Sequence, residues 1–285
     1  MSRVTLSAAT IVLIVVSLFA STSTVISSEP SLTTIDAPNA AFTLITGLNN
    51  RGDTAGFSRA EGPGGPSHGF LLDGDDLTAI DFPASPQTEP YDVNDRGQIV
   101  GLYHAGPSNP RHGFLKDRNN FITIDFPGAD NTQALGINDR GQIVGNYVKF
   151  DVVHGFMFEN GNLTTIDFPG ASRTDVYDIN NRGQVVGLYE IAGTFHGFML
   201  EDGAFATIDV PGATVTYVLS VNDRGQVCGG YVLSGVEHGF IRDENGITTL
   251  DGPGASATEA TSINNRGDVA GYYITAGTFH GFVRR

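Results

Sequence analysis

Along most of the chain, apolar and polar residues alternate over runs of about five to seven residues, and the runs stop at Gly, Asn-Gly, Asp-Gly or Pro-Gly signals. That two-residue period is the mark of half-buried β-strands joined by tight turns. The stretch from Thr174 to Pro211 divides into four such runs: Asp175 to Asn180, Gln184 to Glu190, His196 to Glu201, and Phe205 to Val210. Its first turn, Asn180-Asn181-Arg182-Gly183, puts Asn at the start of a type I turn and Gly where positive φ is needed. Asn160-Gly161 and Asp202-Gly203 read as two-residue primed turns. Each turn type joins antiparallel neighbours, so the unit is a four-stranded meander.

The unit recurs six times. His-Gly-Phe starts at His68, His112, His154, His196, His238 and His280, with steps of 44 and then 42. Asn-(Asp or Asn)-Arg-Gly starts at Asn49, Asn94, Asn138, Asn180, Asn222 and Asn264. A third marker ends at Asp36, Asp81, Asp125, Asp167, Asp209 and Asp251. Four short strands per repeat of about 42 residues predict an all-β fold, a six-bladed β-propeller. A fourth-type strand, Leu32 to Asp36, comes first and a third-type strand, Phe279 to Val283, comes last. The expectation is that the first completes the last blade and closes the ring without a free edge.

Composition agrees: 37 Gly, no Trp and 16% charged residues suit strands and turns better than helices or disorder. The formal charge of −15 excludes nucleic acid as a partner, because a phosphate backbone needs a basic footprint. Arg3, the apolar run Ala8 to Ala20 and the small polar stretch Ser21 to Ser28 have the layout of a secretory signal peptide. Residues 1–28 are therefore read as the signal and 29–285 as one propeller domain. The expected location is secreted, extracellular or periplasmic, with no stable membrane span after processing. The one cysteine, Cys228, stands where other repeats have Val144 and Val186, and is read as a small buried hydrophobe.

Tandem His-Gly-Phe, with Ile-Asn-Asp-Arg-Gly-Gln-Ile-Val-Gly at Ile137 to Gly145, resembles the bacterial extracellular HAF repeat over about Leu32 to Arg285. The resemblance implies export and a propeller-like repeat fold. It implies no common activity. Gly here replaces the Ala of that repeat's name, which reads as a small-residue change.

Six repeated histidines could be imagined as a metal ring, but the spacing favours structure. In five repeats an Asp lies 13 residues after the His, which sets His68 opposite Asp81, His112 opposite Asp125, His154 opposite Asp167, His196 opposite Asp209 and His238 opposite Asp251. Ring closure predicts that His280 meets Asp36. No metal, cofactor or catalytic residue is expected. Asp92-Val93-Asn94-Asp95 fails as a calcium loop, since Gly47, Gly136, Ser220 and Ser262 replace its first acid elsewhere. Arg51-Gly52-Asp53 and Arg266-Gly267-Asp268 are copies of the repeated hairpin turn.

Binding chemistry is expected on the face that carries the loops between second and third strands, namely Ser58 to Ser67, His104 to Arg111, Val148 to Val153, Glu190 to Phe195, Val232 to Glu237 and Ile274 to Phe279. His104 breaks the sixfold pattern there, near Tyr103 and Arg111. The interblade segments add Glu89, Tyr91, Arg173, Asp175, Tyr177 and Glu259, aromatic and carboxylate groups suited to sugar hydroxyls or a cation. The leading functional reading is a non-enzymatic binding or interaction module for a polysaccharide, cell-surface or protein ligand. A glycan hydrolase or lyase at the channel mouth and a structural envelope or matrix protein stay open, as does the oligomeric state.

Overall fold

A computed structural model describes residues 32–61, 65–106 and 109–285. The expected signal peptide and parts of the Glu61 to Ser67 and His104 to Arg111 loops lie outside the described residues. Among those described there is no helix and there are 24 strands. Among the described residues no helix is long and apolar enough to cross a membrane.

β1 is Leu32–Ile35. The first meander follows with β2 (Phe42–Leu48), β3 (Thr54–Arg59), β4 (His68–Asp73) and β5 (Asp76–Ile80). The second contains β6 (Gln87–Val93), β7 (Ile99–His104), β8 (His112–Asp117) and β9 (Asn120–Ile124). The third has β10 (Asn131–Ile137), β11 (Ile143–Lys149), β12 (Val152–Glu159) and β13 (Asn162–Ile166). The fourth has β14 (Arg173–Ile179), β15 (Val185–Ile191), β16 (Thr194–Glu201) and β17 (Ala204–Ile208). The fifth has β18 (Val215–Val221), β19 (Val227–Leu233), β20 (Val236–Asp243) and β21 (Gly246–Leu250). The last has β22 (Ala257–Ile263), β23 (Val269–Thr275) and β24 (Thr278–Arg284), and its fourth member is β1, antiparallel to β24 with Leu32 opposite Arg284.

Three meanders are separate sheets, while the other three join through single parallel bridges, Glu237 with Ala257 and Phe42 with Phe279. The first strand of each meander lies against the first strand of the next, and β22 lies against β2.

The His-Gly-Phe marker supplies three different contacts. Its Phe is core: Phe70, Phe114, Phe156, Phe198, Phe240 and Phe282 are each at most 2% exposed. Its Gly admits the following meander. A Cβ on Gly69 would stand 2.6 Å from Pro90, one on Gly155 would stand 2.3 Å from Val176, and one on Gly281 would stand 2.7 Å from Ile45. A side chain at these positions would thus collide with the neighbouring meander. Its His bonds the Asp across the strand pair at 2.9–3.2 Å in the five local pairs, and His280 Nδ1 lies 3.0 Å from Asp36 Oδ2. In five meanders a Tyr stacks on that His, as Tyr189 does on His196 with ring centroids 5.3 Å apart. Cys228 is fully buried among apolar side chains, and burial holds its thiol well above the usual pKa.

One expectation needs correction. The segments read as variable loops between second and third strands are, in four meanders, two-residue hairpin turns with both residues at positive φ: Phe150-Asp151, Ala192-Gly193, Ser234-Gly235 and Ala276-Gly277. Longer connections occur in the first two meanders. The strands run farther than the sequence suggested because ladder bonds continue through polar residues such as Glu190, which pairs with Phe195.

Candidate functional site

Each first strand carries one extra residue where its register slips against the second strand: Thr46, Tyr91, Leu135, Tyr177, Leu219 and Thr261. A β-bulge bends the strand and re-aims the unpaired side chain. All six of these residues line a single cavity of about 220 Å³, together with Leu44, Phe57, Glu259 and Tyr272. The bulge thus gives every meander one side chain in the cavity, and the sequence decides whether that side chain is apolar, hydroxylated or aromatic.

One end of this space is closed by hydrogen bonds. The Nδ2 of Asn49, Asn94, Asn138, Asn180, Asn222 and Asn264 each donates to the carbonyl of the equivalent Asn in the next meander at 2.8–3.3 Å, and Asn264 donates to Asn49. The amides of residues 50, 95, 139, 181, 223 and 265 form a parallel set with the next side-chain oxygen, at 2.7–2.8 Å. Just inside, Asp92 and Asp178 are half-buried. Asp92 accepts the amides of Val93 and Ile137, and Asp178 accepts those of Ile179 and Val221 and the Ser220 hydroxyl. Ser220 and Ser262 accept the amides of Ile263 and Leu48. All six equivalent amides are satisfied. Each Asp serves two of them, and at Gly47 and Gly136 a Cβ would lie 2.7 Å from the Cα of Asp92 or Asp178. Burial pushes both carboxyls above the usual range, yet their partners are amide donors, so these acids cap backbone and do not form a cation site.

Away from the plug, a second layer of first-strand side chains comprises Leu44, Glu89, Gln133, Asp175, Tyr217 and Glu259. Glu89 bonds Arg59 at 2.8 Å and Ser67 at 3.0 Å, and the Tyr91 hydroxyl donates to it. Asp175 takes two bonds from Arg173, at 2.5 and 2.9 Å. Glu259 differs. Its Oε2 accepts from Tyr217 at 3.2 Å and Tyr272 at 3.1 Å, while Tyr217 also donates to Glu237. Burial, reinforced by the neighbouring Glu237 charge, pushes the Glu259 carboxyl up to about 8. Burial also raises the phenols of Tyr91, Tyr177 and Tyr272, so they remain hydrogen-bond donors.

Of the residues singled out from sequence, Tyr91, Tyr177 and Glu259 line the central cavity. Arg111, Arg173, Asp175 and again Tyr177 line an adjoining cavity of about 270 Å³ with Gln133 and Asn146. Glu89, Tyr91, Arg173, Asp175, Tyr177 and Glu259 sit on first strands, not in interblade segments. Tyr103 and His104 lie elsewhere. Tyr103 stacks on Phe82 in the repeated aromatic position, and His104 ends β7, buried, with Nδ1 2.7 Å from the Gly106 carbonyl. The Arg-Gly-Asp turns pair internally, Arg51 with Asp53 at 2.6 Å and Arg266 with Asp268 at 2.7 Å. Sequence reasoning missed Phe57, Tyr217, Glu237 and Tyr272. The signal was present as departures from the repeat, since Gly230 and Tyr272 stand where other copies have Phe57, Leu102, Asn146 and Leu188.

No family model matches the chain, and no curated protein matches it. Among solved structures it is similar to a streptogramin B lyase, with TM-score 0.53 and 10% identity over 90% of this chain and 98% of that one. It is also similar to TolB from Acinetobacter baumannii, with TM-score 0.60 and 15% identity over 82% and 63%. A third likeness is to a triple arginine mutant of AofleA from Arthrobotrys oligospora, with TM-score 0.54 and 11% identity over 90% and 93%. At such identities the likeness concerns fold alone, and with the four-stranded sheets it makes this chain an all-β protein of β-propeller type.

Proposed function

We propose that the chain is an exported, six-bladed HAF-type propeller that binds a small or terminal ligand group in its central cavity. Support for closure comes from the bonds that return from Asn264 and Asn265 to Asn49 and Asn50, and from the pairing of β1 with β24. The observation that carries the binding reading is the lining of the cavity: Phe57, Tyr91, Tyr177 and Tyr272 beside one half-buried carboxyl, Glu259. Aromatic faces with a few polar groups suit ligand capture, and the central and adjoining spaces together fall in the range of about 300–1,000 Å³ usual for small-molecule sites. A saccharide residue of a larger glycan is the leading ligand class, with the Arg173–Asp175 pair and Gln133 meeting its hydroxyls.

The carboxyl geometry favours binding over glycoside hydrolysis. Glycosidases hold their two carboxyls about 5 Å or more apart to admit a sugar carbon or a water. Glu237 and Glu259 both bond the Tyr217 hydroxyl, which occupies the space between them. The test is calorimetry and thermal shift with a glycan panel on the protein and on Tyr177→Ala. A ligand that raises Tm in the parent and binds at least tenfold more weakly to the variant establishes the cavity. A ligand indifferent to Tyr177→Ala places binding elsewhere.

A further inference from the structure

We propose that the Glu237–Tyr217–Glu259 cluster recognises an organic ammonium group inserted into the central cavity; this rests on the reading of that cavity as the ligand site. Three acids occupy equivalent positions on first strands. Glu89 has Arg59 and Asp175 has Arg173, the protein's own cations. Among the described residues Glu259 has no such partner: Tyr217 and Tyr272 bond it, and the neighbouring charge is a second acid, Glu237. Buried carboxyls are costly unless charge is compensated, and here the compensating cation is missing from the chain's own neighbours of Glu259.

The arrangement is built by two coordinated departures from the repeat. Tyr217 replaces the Leu, Gln or acid of the other copies, and the residue paired with it across the ladder is Gly230. A Cβ on Gly230 would stand 2.5 Å from the Tyr217 ring, so the glycine is what lets the ring lie flat there and set its hydroxyl between the two acids. Phe57, Tyr91, Tyr177 and Tyr272 line the cavity with the acid. An ammonium group is attracted by such faces and neutralised by a carboxylate, which is the recognition used for quaternary amines. Divalent metal fits poorly, since calcium takes six to eight oxygens and most of this lining is aromatic or aliphatic.

Binding carries a proton signature. A cation in the cavity favours the ionised form of Glu259, so the Glu259 proton leaves for solvent as the ammonium enters. The titratable groups facing Glu259 are Glu237, Tyr217, Tyr272, Tyr177 and the buried Cys228. The Tyr177 and Tyr272 phenols are raised by burial and remain protonated, which leaves Glu259 as the proton source below pH 9.

The experiment is calorimetry of the protein with choline and with its neutral isostere 3,3-dimethylbutan-1-ol, at pH 6 and pH 9 in buffers of different ionisation enthalpy. Choline is expected to bind, with affinity at least tenfold higher at pH 9, with proton release at pH 6, and with no measurable binding of the isostere. Glu259→Gln, checked for folding by circular dichroism, is expected to lose at least tenfold in choline affinity, and Gly230→Leu should act likewise by displacing Tyr217. Equal binding of the isostere, or unchanged affinity in folded Glu259→Gln, overturns the inference. If choline fails while a glycan binds in a Tyr177-dependent way, the ammonium inference falls and the cavity reading stands. If glycan binding is also indifferent to Tyr177→Ala, the cavity reading falls as well.

Discussion

The two ends of the central cavity are made from the same six strands and behave differently. At the plugged end the six copies agree: six Asn side chains reach six carbonyls, and six amides find six oxygens even where Ser, Asp and Gly differ. A few residues farther along, the copies disagree, with Thr, Tyr and Leu at the bulge and Leu, Glu, Gln, Asp and Tyr in the layer beyond it. Repetition satisfies backbone and holds the units together, and chemistry is concentrated where the repeat is broken.

The largest expected effect comes from spoiling the uniform end. Asn180 is 5% exposed, accepts the amides of Arg182 and Gln184, and donates to the Asn222 carbonyl. Asn180→Ala leaves the buried Gln184 amide and the part-buried Arg182 amide without their acceptor and removes one of the two donors to the Asn222 carbonyl, so at about 1–3 kcal/mol per stranded group denaturant unfolding should show a loss of about 2–4 kcal/mol. A loss under about 1 kcal/mol would mean that the units hold together without the Asn set.

At the broken end the effect depends on pH. The Glu259 carboxyl is raised from its ordinary 4.5 to about 8, so the folded protein binds this proton more tightly than the unfolded chain. Its contribution is complete below about 4.5 and is lost as pH rises towards 8. At ~1.4 kcal/mol per unit this amounts to a few kcal/mol. Glu259→Gln should therefore flatten the fall in Tm between pH 5 and 9 and leave the variant the more stable of the two at pH 9. An unchanged slope would assign the alkaline loss to Asp92 and Asp178, whose carboxyls are also raised by burial.

The smallest effect belongs to the outer repeat. In the pair of His196 and Asp209 the side chains are 30% and 44% exposed, and exposed pairs contribute about 0–1 kcal/mol. His196→Ala should lower Tm only slightly, chiefly through the lost stack on Tyr189. A loss as large as that of Asn180→Ala would give the His–Asp pair an equal share in holding the fold.

The sequence by itself determined what is local. Strand runs, primed turns and the His–Asp register depend on residues within one 42-residue unit, where period, turn chemistry and a fixed spacing of 13 leave few alternatives. The partner expected for His280 was also legible, because β1 is a copy of the fourth strand. What only the tertiary structure decided lies between units. The Asn set joins residues 42 to 45 apart, or 215 where it returns to Asn49, through backbone carbonyls that carry no sequence signature. The cavity depends on a bulge that turns one side chain per strand inward, and the acid pair depends on Tyr217 lying over Gly230. Alternation along a strand says which face a residue occupies; it does not say where an inserted residue will aim, or which strand the next unit will bring against it.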